Sequence, residues 1–331
     1  MLRRALFPLV TALATGALGP VLHAPTARAA PPPAFDLTLL PVSTLVLRAA
    51  ADASGVYACT LDSDGETRWL VRRTADGAID RLVRSPRIER IALDDERVYW
   101  VGDAGVQAVP KAGGDVETLA GRDANLVAGS PDPSPWALVV DADDVYFSID
   151  GGLGRVPKRG GEAQLLAGGE RATLVGVDAA EVFWLEADRD VRSWSLVATP
   201  KRGGSSRRIE AGLPDVLAAV LEDDAVAWLG ATERPGVGAL HRTAKDTGDD
   251  AVVARDVPTY YPHVLAAAGG ALLWLDYPHG LHGPMRVRGE RGSAAPVTLA
   301  EAFPPANEIL VDDRYVYWAQ EGLRAIARPA P

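Results

Sequence analysis

The sequence of 331 residues has one cysteine, two methionines and no common catalytic motif. Cys59 has no partner with which to form an intramolecular disulfide, so packing must stabilise the fold. Cys59 lies in an alternating run without a His close to it in sequence, which favours a small buried residue over a nucleophile. A Gly-x-Ser-x-Gly elbow, a paired-Cys motif, a His-Glu-x-x-His motif and a phosphate loop are all absent. We therefore assign no cofactor and no metal from sequence.

Long hydrophobic runs are also absent after the first 30 residues. Residues 5–22 are apolar and uncharged, they follow Arg3 and Arg4, and they precede a small-x-small cleavage pattern at Ala27-Arg28-Ala29. This arrangement predicts a signal peptide over residues 1–29 and a single domain over residues 30–331. We expect an exported protein, periplasmic or extracellular, with no membrane span after cleavage.

Positive charge is scarce relative to negative charge. The chain has 34 basic and 44 acidic residues, for a formal net charge of −10, which argues against nucleic acid as a partner. A hydrophobic content of 47% with 24% charged residues is typical of globular proteins. We expect a monomer whose partner is a protein or a small-molecule ligand.

One unit, clearest over residues 90–120, returns along the chain. It holds a short apolar run that ends in an acid, an aromatic position after a polar turn, and two further runs that a Gly pair separates. The aromatic position recurs every 37 to 47 residues, at Tyr57, Tyr99, Tyr146, Phe183, Ala227, Leu273 and Tyr317. Five residues before it stand Asp52, Asp94, Asp141, Asp178, Glu222, Ala268 and Asp312. Short β-branched runs with Gly turns at this period predict four strands per unit and an all-β propeller of seven blades, with six as the alternative.

The second half of the unit carries a Pro-Lys pair before the Gly pair. It is clearest as Val109-Pro110-Lys111, Val156-Pro157-Lys158 and Thr199-Pro200-Lys201. The pattern resembles exported β-propeller repeat proteins with a VDD-x-x-VYW and VPK-x-GG unit, and more distantly the YWTD repeats of the low-density-lipoprotein receptor and the TolB-like propellers. The resemblance runs from about Leu37 to the C-terminus and implies a fold without implying a function. The last two families have six blades, and the Tyr-Trp pair here lacks their Thr-Asp, so their blade number and ligand are not carried over.

The last unit stops after three strands, and residues 35–42 provide a strand without a partner. We expect this N-terminal strand to complete the last blade as its outer strand. In such a fold the short, uniform turns lie on one face, and the longer, variable loops lie on the other. Binding residues concentrate on variable loops that a rigid scaffold holds. The fixed acids are expected to cap turn N–H groups, and the repeated Trp residues to fill the space between blades.

Three of the four His residues after the signal peptide fall close together on the variable face. We predict a ligand-binding site there, made of Tyr260, Tyr261, His263, Asp276, Tyr277, His279 and His282. His279 and His282 could share a metal or act as an acid–base pair that Asp276 orients, or all three could be polar loop residues. Trp136 and Trp194, which are out of register, are further candidates for ligand contact.

The residues leave two classes of function open. The first is a noncatalytic binding or scaffold propeller, which requires only a rigid disc and a variable face. The alternative is a propeller enzyme, a lyase or a hydrolase, with a His-containing site on the same face. The sequence favours the first, because the His-rich blade is the only support for catalysis.

Overall fold

A computed structural model describes most of the chain after residue 36. The described residues are 37–74, 76–84, 87–122, 136–169, 171–188, 193–259, 264–278, 285–291, 295–302, 306, 308–312 and 314–327. Within these ranges the chain forms 26 strands and no helix. Accordingly, none of the described residues belongs to a helix long and apolar enough to cross a membrane.

The strands form seven blades, as the repeat predicts, and consecutive strands within a blade pair antiparallel. Blade 1 uses the second half of β1 (Leu37–Asp52), followed by β2 (Gly55–Leu61), β3 (Arg68–Arg73) and β4 (Ile79–Arg84). Blade 2 contains β5 (Arg90–Leu93), β6 (Arg97–Gly102), β7 (Gly105–Pro110) and β8 (Glu117–Gly121). Blade 3 contains β9 (Ala137–Val140), β10 (Asp144–Ile149), β11 (Gly152–Pro157) and β12 (Gln164–Gly168). Blade 4 contains β13 (Thr173–Val177), β14 (Glu181–Ala187), β15 (Trp194–Pro200) and β16 (Arg207–Leu213).

The remaining blades follow the same order from the inner to the outer strand. Blade 5 contains β17 (Val216–Leu221), β18 (Ala225–Ala231), β19 (Val237–Ala244) and β20 (Asp250–Pro258). Blade 6 contains β21 (Leu265–Ala268), β22 (Ala271–Asp276), β23 (Met285–Arg291) and β24 (Val297–Ala302). Blade 7 contains β25 (Glu308–Val311), β26 (Tyr315–Ala327) and the first half of β1. The first strands of neighbouring blades touch in sequence, and β25 touches β1, so they close a ring around the axis.

Closure occurs through β1, which belongs to two blades. Its residues 37–40 pair with β26, and its residues 45–52 pair with β2. The predicted closing strand is therefore confirmed for its described part, while residues 35 and 36 lie outside the described residues. The last blade has three strands rather than four. The reason is that residues 316–320 and 323–327, expected as two strands, form the single strand β26, which pairs with β25 through its first half and with β1 through its second half.

The core lies between blades rather than within a single sheet. Each apolar cluster combines buried side chains from neighbouring blades, because strand side chains alternate between the two sheet faces. The register Trp residues fill these spaces as predicted, each at most 4% exposed: Trp100, Trp184, Trp228, Trp274 and Trp318. Cys59 is fully buried, and burial raises the pKa of its thiol to about 11, which fits the predicted small core residue.

Candidate ligand-binding site

The turns between first and second strands are held by the fixed acids. Asp94 Oδ1 accepts hydrogen bonds from the backbone N–H groups of Glu96 (2.9 Å) and Arg97 (2.7 Å). Asp94 Oδ2 accepts one from the Tyr99 hydroxyl at 2.7 Å. Asp141, Asp178 and Asp312 accept the same pair of turn N–H groups. The predicted capping role of these acids is confirmed.

A second contact joins four of the fixed acids to the following blade. Lys158 of blade 3 donates to Asp94 Oδ2 of blade 2 at 2.7 Å, and we call such a cross-blade pair a latch. Burial alone would raise the pKa of Asp94, but the hydrogen bonds from Lys158, Tyr99 and the turn outweigh it and lower the pKa. Four latches occur among the described residues: Asp52–Lys111, Asp94–Lys158, Asp141–Lys201 and Asp178–Lys245.

The backbone of each latch Lys is held as well. An Arg of the preceding blade donates to its carbonyl oxygen, at distances from 2.6 to 3.1 Å: Arg72 to Lys111, Arg97 to Lys158, Arg155 to Lys201 and Arg207 to Lys245. The Gly pair that follows makes this turn possible, since Gly113 and Gly114 have φ values of 85° and 136°. We call the face with these turns the latch face and the opposite one the loop face.

The contact between blades 5 and 6 departs from this pattern. Blade 5 has Ala227 in place of the Tyr, and Arg242, paired with Ala227 across the strands, binds the fixed acid Glu222 at 2.6 Å. The same guanidinium bonds Glu290 of blade 6. Blade 6 itself has neither the acid nor the Tyr, because Ala268 and Leu273 stand in those positions.

Blade 6 carries buried charge at its loop-face end instead. Asp276 ends β22, is 6% exposed, and its Oδ2 lies 3.5 Å from Arg288 Nη1. Asp276 Oδ1 and Arg288 Nε are both buried and have no hydrogen-bond partner among the described residues. Burial raises the pKa of Asp276, and the neighbouring Arg288 and Arg286 only reduce that effect. An unsatisfied carboxylate oxygen at a variable loop end is the kind of exception that points to a functional site.

The other predicted site residues divide into two groups. Tyr277, next to Asp276, is 1% exposed and donates its hydroxyl to the carbonyl of Ala306 at 2.6 Å, which suits a supporting residue better than a direct ligand contact. Tyr260, Tyr261, His263, His279 and His282 lie outside the described residues. Among the described residues, no group of three His, Cys, Asp or Glu side chains is arranged to hold a metal.

Of the two out-of-register Trp residues, Trp194 does not suit ligand contact. It is 8% exposed and packs in the apolar cluster shared by blades 4 and 5, because β15 begins at this residue and turns the ring inward. Trp136 is half-buried beside the cluster of blades 3 and 4 and keeps an exposed part.

The inner strands carry a charged cluster that the sequence did not reveal. Glu308 of blade 7 accepts the backbone N–H of Ala49 in blade 1 at 2.5 Å and pairs with Arg90 of blade 2 at 3.7 Å. Both charged side chains are 7% exposed. Each lies four residues before the fixed acid of its blade, where blades 3 to 6 have Ala137, Leu174, Ala218 and Val264. The Glu308 carboxylate of blade 7 therefore contacts both blade 1 and blade 2 where the ring closes.

Comparison with known proteins supports the fold and leaves the family open. No family and no curated protein matches the chain. A puromycin hydrolase structure aligns with a TM-score of 0.65 at 16% identity, over 88% of this chain and 55% of that one. A nidogen/laminin complex aligns with a TM-score of 0.52 at 14% identity, over 79% and 93% of the two chains. A structure from Agrobacterium tumefaciens described as TolB aligns with a TM-score of only 0.47 at 12% identity, over 76% and 95%.

At such identities the first two likenesses show the propeller fold alone. The chain spans about half the length of the puromycin hydrolase, so that protein's activity is not transferred to it. The predicted resemblance to propeller repeat proteins is confirmed at the level of the fold. The neighbours include both a hydrolase and a protein–protein complex, so the fold alone does not separate the two classes of function.

Proposed function

We propose that this chain is an exported, noncatalytic binding or scaffold propeller that holds a ligand or partner on its loop face, around blade 6. The proposed site consists of Tyr260, Tyr261, His263, Asp276, Tyr277, His279 and His282, with Tyr277 as a supporting residue rather than a direct contact. Aromatic rings and His supply contact area and hydrogen-bonding groups at such sites.

One observation carries the proposal. Asp276 has a buried carboxylate oxygen without a partner in the described part of the chain, and it lies in the blade that has lost the fixed acid and the Tyr of the repeat. On the latch face the acids are fully used by turn N–H groups, Tyr and Lys. Leaving a buried carboxylate unsatisfied costs ~1–3 kcal/mol or more, so selection for stability alone would have removed it.

The test compares variants of the two faces. Partners captured from an envelope extract by the wild-type protein are identified, and their affinities are then measured for two variants. Replacing Tyr261, His279 and His282 together with Ala should weaken binding by more than ~1 kcal/mol with little loss of stability. The control pair, Asp94→Ala with Asp141→Ala, should lower the melting temperature and leave affinity unchanged. If the control abolished binding in a folded protein while the triple did nothing, the assignment of faces would be wrong.

The alternative of a propeller enzyme has a separate test. Metal analysis of the purified protein would favour it if a stoichiometric metal were found and then lost when His279 and His282 are replaced. Without such a metal, the His residues support binding only.

A further inference from the structure

His241, the one His among the described residues, belongs to a polar chain that joins blades 4 and 5. Its ring stacks on Trp228 with centroids 4.1 Å apart and an interplanar angle of 9°. Its Nδ1 lies 2.7 Å from Asp250 Oδ2. Asp250 Oδ1 in turn lies 3.2 Å from Thr243 Oγ1, and Thr243 Oγ1 lies 2.8 Å from Glu210 Oε2 of the preceding blade.

A count of hydrogen atoms shows that this chain of polar groups lacks one hydrogen when Glu210 and Asp250 are both ionised. The Thr243 hydroxyl has one hydrogen and two lone pairs, and one lone pair accepts the Trp228 indole N–H at 2.9 Å. Its single hydrogen can serve Glu210 or Asp250, and the other O–O contact then has none. An additional proton on one carboxyl completes both contacts.

Glu210 is the better holder of that proton. Asp250 is already stabilised as an anion by the His241 ring nitrogen, whereas the Thr243 hydroxyl is the only hydrogen-bond partner of Glu210 among the described residues. Protonated Glu210 donates to the free lone pair of Thr243, Thr243 donates to Asp250, and His241 donates to the other Asp250 oxygen. Burial is the main cause that raises the pKa of Glu210, and the negative charge of Asp250 raises it further. The hydrogen bond from Thr243 and the nearby His241 lower the pKa, but they do not cancel the rise. Arg207 and Arg208, the cations on the same strand, are paired with Glu181 and Glu186.

The preceding blade shows the same motif without charge. Trp184 donates to Thr199 at 2.9 Å, and the Thr199 hydroxyl meets Ser206 at 2.8 Å. In blade 4 these neutral groups complete their hydrogen bonds without an added proton. The repeat therefore supplies the Trp–Thr pair. Around the pair of blade 5 stand Asp250 and His241 of the same blade and Glu210 of blade 4.

We propose that Glu210 holds a proton across the contact between blades 4 and 5, which makes this contact a pH-sensitive joint of the disc. A carboxyl whose folded pKa is raised stabilises the fold below its unfolded pKa, and that contribution is lost as pH rises through the folded value. The contact between blades 4 and 5 is therefore more stable in mild acid, and it weakens as Glu210 ionises.

Infrared difference spectra between the wild-type protein and Glu210→Gln test the proton directly. In mild acid, near the ordinary pKa of Glu, the wild type should show the C=O band of a protonated carboxylic acid that the variant lacks, and the band should vanish on raising the pH. Glu233→Gln, at an exposed acid of blade 5, should leave the band unchanged. If Glu210→Gln does not fold, titration of wild-type protein with 13C-labelled Glu carboxyls gives the same answer. A Glu210 carboxyl that titrates at or below the ordinary pKa of Glu by either method overturns the proposal.

Hydrogen-exchange protection of β16 and β19 tests the joint. In the wild type, protection should fall by up to about tenfold per pH unit once Glu210 ionises, the slope for one bound proton. Glu210→Gln, whose amide can donate to Thr243 at any pH, should remove that dependence, whereas Ser206→Ala should not. Equal pH dependence in Glu210→Gln and the wild type would refute the joint even if the proton is present.

Discussion

Blades 2 and 6 have the same four strands but use charge in opposite ways. In blade 2 the acid sits at a turn on the latch face, every oxygen is used, and the pKa of Asp94 is lowered. In blade 6 that acid is absent, and Asp276 at the other end of the blade is buried, incompletely bonded and raised in pKa. The repeat stabilises the disc with fully bonded acids, whereas blade 6, which lacks the fixed acid, has a buried acid at its opposite end.

A third arrangement of charge, the contact of Glu308 with Ala49 and Arg90, allows the strongest test of this comparison. Glu308→Ala should lower the free energy of unfolding by ~3–5 kcal/mol, because the buried Arg90 guanidinium and the Ala49 N–H lose their acceptor. Urea denaturation measures this, and Glu308→Gln, which keeps an acceptor for Ala49, is expected to lose less. Equal losses in both variants would show that the negative charge opposite Arg90, rather than the acceptor for the Ala49 N–H, carries the effect.

Asp94→Ala should have an intermediate effect on stability. It removes the cap of one turn, the partner of Tyr99 and one latch, with an expected cost of about 2 kcal/mol in urea denaturation. Lys158→Met removes the latch alone and should cost less. A double-mutant cycle between the two positions then gives the worth of the cross-blade contact, and a coupling energy of zero would contradict the latch.

Asp276→Asn should have the smallest effect, and its pH dependence should be opposite to that of the latch acids. The stabilisation by Asp94 is lost as pH falls through its lowered folded pKa, whereas Asp276 contributes only in acid, and that contribution is lost as pH rises through its raised folded pKa. Asp276→Asn should therefore leave stability at pH 7 nearly unchanged and reduce the gain of stability in mild acid. A large loss at pH 7 would mean that Asp276 is structural.

The sequence predicted the blades well because its signals are local. The acid and the aromatic residue five positions later belong to one hairpin, so their contact follows from the repeat. The latches were missed because Asp94 and Lys158 are 64 residues apart, and the Pro-Lys pair reads as part of its own turn. The Arg90–Glu308 pair joins blades at opposite ends of the chain, which single-chain periodicity cannot reveal. Of the candidate site, Asp276 was predicted from its place on the variable face, while its burial beside Arg288 became visible only in three dimensions.

Sharing β1 between the first and last blades sets the order in which the protein can be completed. The N-terminal residues 37–40 find their pairing partner only when β26, almost 290 residues later, has been made. Until then the nascent chain exposes unpaired strand edges at both ends of an open arc, which invites wrong pairing. A chain cut short anywhere before β26 cannot close. Closure of the whole disc thus depends on β26, and proteases that remove open arcs would act on chains in which this strand has not yet been made.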